Sequence, residues 1–386
     1  MNKPFLPLIL TLLIMSTTVG FSQKTKITNV EWKKAAQLQN ADGNISLGFA
    51  GPINGITNNV LIVAGGANFP DKMPWEGGKK NYSNEIHVLE KAGDDFHWNK
   101  KVTNTLPEPI AYPGNTTTNL GVVYVGGENE NGLSNKAYIL NWNADKNEIE
   151  TKSLPDFPLA ITNIALTHSG NIVYAIGGDE AKQSSNLVFS IDLNAEKPEW
   201  KSLTQLPFAL ANSVAVIQNE KIYVIGGRTK TTSGISDLHN TTLAFDLKKQ
   251  TWQSKATICD GKETTNFSAG AGVAVGNEYI LILGGDNGTT FHKIETFLSQ
   301  IAKASSEEEK SKLITEKNIL NTTHQGFYND ILLYNTHTNK WSKIGELPFL
   351  AQVTTTATIW NDKVVLSNGE IKPGIRTPDV MLGTIK

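Results

Sequence analysis

The segment NGEIKPGIRTPDV, residues 368–380, gathers groups that could perform acid–base chemistry and bind an anion. Glu370 offers a carboxylate that can take a proton, and general acid–base help of this kind typically gives about 10²–10⁴-fold. Arg376 can hold a substrate carboxylate through two parallel hydrogen bonds. The turn at Pro373-Gly374 would fold the segment so that both side chains face inward.

Each of these residues also has a structural interpretation. Glu370 could be a solvated loop carboxylate, and Arg376 could form a salt bridge with Asp379. Lys372 is a third candidate for a substrate contact, and it is the weakest of the three. A change in the repeated sequence pattern at this segment favours a functional role over a structural one. The apolar run KVVLS is followed here by Asn-Gly, whereas five earlier runs of the same kind end in Gly-Gly.

The elements that must position this segment form an internal repeat. Five apolar runs end in a glycine doublet: VLIVAGG (60–66), GVVYVGG (121–127), NIVYAIGG (171–178), KIYVIGG (221–227) and YILILGG (279–285). A polar loop and a second alternating run follow each of them: NEIHVL (84–89), NKAYIL (135–140), NLVFSID (186–192), NTTLAFD (240–246) and NDILLYN (329–335). A Trp and then a Leu-Pro pair usually complete the unit.

These runs are short, rich in Val, Ile and Tyr, and bounded by turn residues, so they are predicted to be strands. A period of about 50 residues with roughly four strands per unit is typical of a β-propeller. The predicted fold class is therefore all-β, a six-bladed propeller.

The sixth unit is split between the two ends of the chain. Its inner strands are TTTATIW (354–360) and KVVLS (363–367), and VMLGTI (380–385) is the third. The outer strand is expected from NVEWKKAAQL (29–38), which carries Trp32. Pairing of the N- and C-terminal strands would close the ring and remove the open edge.

The first 22 residues are predicted to be a secretory signal peptide. Lys3 precedes the apolar run LPLILTLLIM, and small residues lead to cleavage after Ser22. The apolar run is too short for a transmembrane span. Residues 23–386 are then expected to form a single propeller domain.

Composition argues against several other classes of protein. The net charge is −2 without a basic block, which gives little support to a nucleic-acid or anionic-membrane partner. The histidines are scattered without metal-ligand spacing, so neither a metal nor a cofactor is predicted. The lone Cys259 is interpreted as a core residue.

The topology of a propeller predicts where a site would lie. The loop between the second and third strands of a blade emerges on the face that carries the link to the next blade. There, residues 370–379 lie between the two longest such loops, 286–328 and 67–83. Three more residues follow a doublet closely and are candidates for substrate binding, with turn stabilisation as the alternative: Asn68, Glu128 and Arg228.

The insert at 286–328 in the fifth unit is predicted to be partly helical. Ile294, Phe297 and Ile301 follow helical spacing. Ser305 followed by Glu308 matches a capping box for a second helix. The insert is interpreted as a lid or wall over the channel, or alternatively as the contact of a homodimer.

The order of Gly-Gly, an Asn-led strand, Trp and Leu-Pro resembles the Kelch family over nearly the whole chain after residue 22. Within it, residues 368–380 closely resemble the signature of N-acetylneuraminate epimerases, secreted bacterial sialic acid mutarotases, with Asn-Gly-Glu, Lys-Pro-Gly and Arg-Thr all matching. A second similar block contains GFAG (48–51), VLIVAGGANF (60–69) and GKKNYSNEIHV (78–88). Better-known members carry these blocks in the opposite order, so this chain resembles a cyclically permuted branch.

The resemblance implies a periplasmic isomerase that interconverts the α- and β-anomers of N-acetylneuraminate by opening and reclosing the ring, without a cofactor. It implies that Glu370 is the catalytic base and that Arg376 takes part as the carboxylate anchor. Two alternatives remain open. One is a non-catalytic Kelch propeller that binds glycan or protein, and the other is a mutarotase or epimerase for another acidic sugar.

Overall fold

Six four-stranded antiparallel sheets surround a central channel in the computed structural model, which describes residues 27–40 and 42–386. This confirms the predicted six-bladed propeller. The predicted signal peptide, residues 1–22, lies outside the described residues. We number the blades 1 to 6 along the chain, and the strands of each blade from the channel outward.

The strands of blades 1 to 3 carry β-branched and aromatic residues at buried positions, as half-buried and fully buried strands do. Their bounds are Ile53–Thr57, Val60–Ala64, Ile86–Ala92 and Asp95–Trp98 in blade 1; Gly114–Thr118, Gly121–Val125, Ala137–Asn143 and Glu148–Ser153 in blade 2; and Ala165–Ser169, Ile172–Ile176, Val188–Asp192 and Lys201–Ser202 in blade 3.

Blades 4 to 6 repeat the arrangement. Their bounds are Val214–Gln218, Lys221–Ile225, Thr242–Asp246 and Thr251–Ser254 in blade 4; Ala271–Val275, Tyr279–Leu283, Asp330–Asn335 and Lys340–Glu346 in blade 5; and Thr358–Trp360, Lys363–Ser367, Asp379–Ile385 and Val30–Gln37 in blade 6. The inner strand of blade 6 is shorter than the predicted 354–360. Thr354 takes a positive φ, and the Thr355 hydroxyl donates to the Ser367 carbonyl at 2.7 Å.

Blade 6 closes as predicted. Val30–Gln37 pairs antiparallel with Asp379–Ile385, and Trp32 lies opposite Gly383. The pairing extends beyond the strands, since the N–H of Thr28 donates to the carbonyl of Lys386 at 2.8 Å. The ring therefore has no unpaired strand between blades 5 and 1 in the part of the chain that the structure describes.

The glycine doublets tie each blade to the next one. The N–H of Gly227 donates to the Phe267 carbonyl at 2.7 Å, and equivalent bonds recur around the ring. Gly177 shows why a side chain is excluded: it has a φ of +63°, and a Cβ there would lie 2.1 Å from the Leu210 carbonyl oxygen. The doublet is thus a requirement of close blade packing.

A closed circle of backbone hydrogen bonds surrounds the channel mouth. Just before each inner strand, one residue has a φ between 52° and 62°, and its N–H donates to the carbonyl of the equivalent residue of the preceding blade at 2.8–3.0 Å. We call these six residues the collar: Gly51, Tyr112, Asn163, Asn212, Ala269 and Thr354.

The residue after each doublet forms a β-bridge with the residue before the collar. This places one equivalent position of every blade around the mouth. We call them the mouth positions: Ala67, Glu128, Asp179, Arg228, Asp286 and Glu370. Five of the six carry charged side chains, so the repeat itself concentrates charge at this end of the channel.

The insert of blade 5 contains two helices, α1 (Phe291–Lys303) and α2 (Glu307–Thr322). The predicted cap of α2 is wrong by one residue. Ser306 is the N-cap and accepts from the N–H of Glu309, while Ser305 bonds the Glu309 carboxylate. Neither helix combines the length and apolar character that crossing a bilayer requires, as judged on the described residues.

Candidate active site

Glu370 and Arg376 lie side by side on a short hairpin at the channel mouth. The strands Glu370–Lys372 and Ile375–Arg376 pair so that the two residues are opposite each other. Glu370 Oε1 accepts from the Gly374 N–H at 2.6 Å and lies 3.6 Å from Arg376 Nη1. Arg376 thus pairs with Glu370, whereas Asp379 binds Lys34 at 3.0 Å.

Arg376 is buried with part of its hydrogen-bonding capacity unused. Its side chain is 4% exposed. Nε donates to the Ala67 carbonyl at 3.2 Å, and the guanidinium lies 4.7 Å from the centre of the Phe69 ring. Nη1 has no hydrogen-bond acceptor among the residues that the structure describes. A buried cation with a free donor is suited to an anionic ligand.

Asn368 explains why the sixth doublet differs from the others. It has a φ of +58°, which Asn tolerates better than most residues. Its side chain is fully buried, and Oδ1 accepts from the Phe49 N–H at 3.1 Å. The Asn side chain therefore fastens the charged hairpin to the GFAG block, which a Gly could not do.

Asn68 lies beneath the hairpin. It is buried, and its Nδ2 donates to the Gly48 carbonyl at 3.1 Å. Gly48 is itself packed so closely that a Cβ would lie 2.1 Å from the Thr377 carbonyl oxygen. These contacts favour a supporting role for Asn68, and they bring the two motif blocks of the sequence together in space.

Glu128 stands at the mouth position of blade 2 and is part of a polar cluster. Its Oε1 accepts from Lys80 Nζ at 3.1 Å and from the Tyr82 hydroxyl at 3.0 Å. Burial opposes the charge of Lys80, but the neighbouring Tyr112 and Glu128 hold the pKa of Lys80 above its ordinary value. Lys80 is therefore a second cation at the mouth.

Tyr112, the collar residue of blade 2, joins this cluster to the charged hairpin. Lys80 Nζ lies 5.0 Å from the centre of its ring. Burial raises the pKa of the Tyr112 phenol, although the charges of Lys80 and Arg376 act in the opposite direction. The phenol is therefore protonated at neutral pH and has two cations as neighbours.

Arg228 lies on another part of the mouth, where it forms an ion pair with a residue of the neighbouring blade 3. Its Nη2 is 2.5 Å from Asp179 Oδ2, and Lys230 Nζ is 3.6 Å from Asp179 Oδ1. Asp179 also accepts from Ser184 and Asn163. This geometry favours a structural role for Arg228, in which it links blades 3 and 4. A role of Arg228 in substrate binding stays a prediction. The chain has only two arginines, and both stand at the mouth.

Asp286 and Lys372 complete the charged groups near the hairpin. Burial raises the pKa of Asp286, and the charges of Glu295 and Glu370 add to the effect. Burial lowers the pKa of His324 at the end of the insert, and the charge of Lys372 adds to this effect. Lys372 is thus a neighbour of the insert, and its contact with a substrate stays a prediction.

The insert of blade 5 contacts the loops of blades 4 and 1 next to the hairpin. In α1, Glu295 accepts from the N–H and the hydroxyl of Ser236, both at 2.7 Å. In α2, Asn318 Nδ2 donates to the Trp75 carbonyl at 3.4 Å. Trp75 belongs to the 3-10 helix Pro74–Glu76, which packs on the hairpin turn at Gly374. These contacts favour the wall interpretation of the insert.

Lys80, Phe69, Tyr82 and Tyr112 were not identified from the sequence. Three of them lie in the long loop of blade 1, where periodicity says nothing about conformation. Tyr112 had a signal, because aligning the six collar positions shows one Tyr among Gly, Ala, Thr and Asn. No three His, Cys, Asp or Glu side chains come together as a metal site requires within residues 27–40 and 42–386.

Comparison with known proteins identifies one family. The model of a family described as N-acetylneuraminate epimerase matches residues 15–149 and 154–386. A protein of that name from Vibrio cholerae is 40% identical over 129 residues, 31% of this chain and 32% of the relative. Another from Salmonella typhimurium is 31% identical over 229 residues, 58% of this chain and 56% of the relative. The chain thus aligns with between a third and just over half of these relatives' length.

Proposed function

The chain belongs to the N-acetylneuraminate epimerase family, and from this we propose that it is a sialic acid mutarotase that interconverts the α- and β-anomers of N-acetylneuraminate. The observation that carries the proposal is the pair of Glu370 and Arg376, a carboxylate beside a buried guanidinium with a free donor. A propeller that only binds a protein has no need of such a pair.

The substrate chemistry fits this pair. Sialic acid is a 2-keto acid closed into a ring, with a carboxylate on its anomeric carbon. Arg376 binds that carboxylate through its free Nη1 and a neighbouring nitrogen of the same guanidinium. These two parallel hydrogen bonds are the usual arrangement between a guanidinium and a carboxylate. The anomeric hydroxyl then lies next to the carboxylate of Glu370, which stands 3.6 Å from Arg376 Nη1.

Glu370 acts as the base in this proposal. It takes the proton of the anomeric hydroxyl while the ring oxygen receives a proton. The bond between the anomeric carbon and the ring oxygen breaks, and the anomeric carbon forms a ketone with its former hydroxyl oxygen. The open ketone rotates and closes on its other face. Positioned proton transfer of this kind contributes about 10²–10⁴-fold, and Glu370 returns its proton when the ring recloses.

The same proposal places the mature protein in the periplasm. Its support is the charged start, apolar stretch and small residues of positions 1–22. Fractionation of expressing cells should release a shortened chain with the periplasmic contents. An uncleaved chain in the cytoplasmic fraction would contradict this part of the proposal.

The activity is tested by proton NMR of α-sialic acid freshly released by a sialidase. The protein should accelerate the appearance of the β-anomer over the spontaneous rate, at a mildly acidic pH where that rate is slow. Binding without acceleration would favour the non-catalytic propeller. Acceleration of a different acidic sugar alone would favour a mutarotase with another substrate.

A further inference from the structure

Tyr112 occupies a collar position that other blades fill with smaller residues. Its φ is +56°, a conformation that is uncommon for a bulky residue. Its ring packs on Gly51, where a Cβ would lie 2.4 Å from Tyr112 Cδ1. The collar hydrogen bonds hold its backbone on both sides, at 2.8 Å to Gly51 and 3.0 Å from Asn163. The phenol is therefore held rigidly at the mouth.

The groups that face Tyr112 are those of the candidate active site. Lys80 Nζ lies 5.0 Å from the centre of its ring, and the charges of Lys80, Glu370 and Arg376 all act on its phenol. Burial and the charge of Glu370 favour the phenol, whereas the two cations favour the phenolate. This environment suits a group that gives up a proton briefly and takes it back.

The other proton donors at the mouth are less suitable. The Tyr82 hydroxyl already donates to Glu128 at 3.0 Å, and Lys80 is bound to the same oxygen at 3.1 Å. A guanidinium group such as that of Arg376 does not give up a proton in proteins. Asp286 accepts from the Gly288 N–H at 2.6 Å. Among the described residues at the mouth, Tyr112 is the remaining donor whose phenol is acted on by the charges of both Glu370 and Arg376.

We propose that Tyr112 is the general acid of the mutarotase, protonating the ring oxygen of the sugar while Glu370 takes the proton of the anomeric hydroxyl. The bond between the anomeric carbon and the ring oxygen breaks, and a ketone and a free hydroxyl form. Lys80 and Arg376 stabilise the transient phenolate. On reclosure, the phenolate takes the proton of that hydroxyl and Glu370 returns its own to the new anomeric oxygen, so both groups are restored.

The test compares Tyr112→Phe with Tyr138→Phe. Tyr138 lies in the third strand of the same blade, stacked on Tyr124, and serves as the matched control. Tyr112→Phe keeps the ring that packs on Gly51 but removes the proton. Its kcat for anomer exchange should fall about 10²-fold or more, with KM and melting temperature close to wild type. Tyr138→Phe should exchange anomers at the wild-type rate.

A second measurement uses a ring-fluorinated tyrosine at position 112, which lowers the pKa of the phenol and hardly changes its shape. The alkaline decline of kcat should move to lower pH, a change that a merely structural residue would not produce. This readout also decides the matter if Tyr112→Phe does not fold.

The inference rests on the proposed function, and the two can fail separately. An active wild type together with a fully active Tyr112→Phe, or with an unmoved pH profile for the fluorinated protein, would overturn the role of Tyr112 alone. A wild type that does not exchange anomers would overturn both.

Discussion

At the scale of single residues, the site depends on a buried guanidinium that the protein leaves partly unpaired. Arg376 has Glu370 at 3.6 Å, one carbonyl and an aromatic face as partners. Removing a charge from water is costly unless its hydrogen bonds are satisfied. A bound carboxylate would supply the missing acceptor. Ligand binding is therefore expected to reduce the free-energy cost of burying this charge.

Arg376→Lys should weaken the binding of sialic acid. Lysine keeps the charge but loses the planar pair of donors and the stacking on Phe69. Loss of a hydrogen bond to a charged group typically costs about 1.5–3 kcal/mol, which corresponds to roughly 10- to 150-fold in affinity. Calorimetric titration measures this, with a melting curve as the folding control. Unchanged affinity would place the anchor elsewhere.

Asp286→Asn should stabilise the protein at neutral pH. Burial raises the native pKa of Asp286, so the native state binds this proton more tightly than the unfolded state does. Stability therefore falls as pH rises through the interval between the two pKa values, and the charged form is destabilising at every higher pH. Asp286→Asn should therefore have a higher Tm than wild type at pH 7. This difference should disappear in acid, below the pKa that Asp286 has in the unfolded chain.

The matched control for this change is Asp260→Asn. Backbone N–H groups of Glu263 and Lys262, each at 2.7 Å, lower the pKa of Asp260, so its charged form is favoured in the native state. Asp260→Asn should thus lower Tm at pH 7. A loss of Tm in Asp286→Asn at pH 7 would show that its carboxylate stabilises the fold.

At the scale of elements, the charged hairpin is held by Asn368, two residues before its first strand. Asn368 replaces a glycine of the repeat, keeps the positive φ that the position needs, and adds a buried hydrogen bond to Phe49. Glu370 and Arg376, the proposed catalytic groups, are thereby fixed to blade 1. Among the six doublets of the repeat, this is the one whose first position has a side chain.

Asn368→Gly should separate these two contributions. Glycine accepts the positive φ but leaves the buried Phe49 N–H without its acceptor, which typically costs about 1–3 kcal/mol. Asn368→Ala should cost about 1–2 kcal/mol more, because alanine disfavours the left-handed region. Denaturant unfolding of the three proteins measures both steps. Equal stability of the wild type and Asn368→Gly would show that the side-chain bond contributes nothing.

Some secondary-structure elements could be predicted from the sequence and others could not. The strands and α1 follow from hydrophobic periodicity, which depends on local residues. The cap of α2 was misplaced because Ser305 and Ser306 both precede a run of three glutamates, and local pattern does not distinguish them. Lys80 and Tyr82 were missed because their contacts with Glu128 join two different blades, and a local pattern does not show such contacts.

At the scale of the whole molecule, ring closure assembles the site. Pairing of Val30–Gln37 with Asp379–Ile385 brings blade 6 against blade 1, where Arg376 meets the Ala67 carbonyl. This closure was predictable, since a split repeat leaves one strand unpaired at each end. The register of the repeat also predicted that Glu128, Arg228 and Glu370 lie at the same end of the channel, because each doublet precedes one mouth position. The partners of each charge depended on tertiary packing and were not predictable.

The most direct test of the account is the rate of anomer exchange by Glu370→Gln, followed by proton NMR above the spontaneous background. Glutamine keeps the size of the side chain and can still accept from the Gly374 N–H, but it cannot take a proton at neutral pH. Exchange should slow by about 10²-fold or more, while sialic acid binding and Tm stay nearly unchanged. Exchange at the wild-type rate would remove Glu370 from the mechanism and contradict the account.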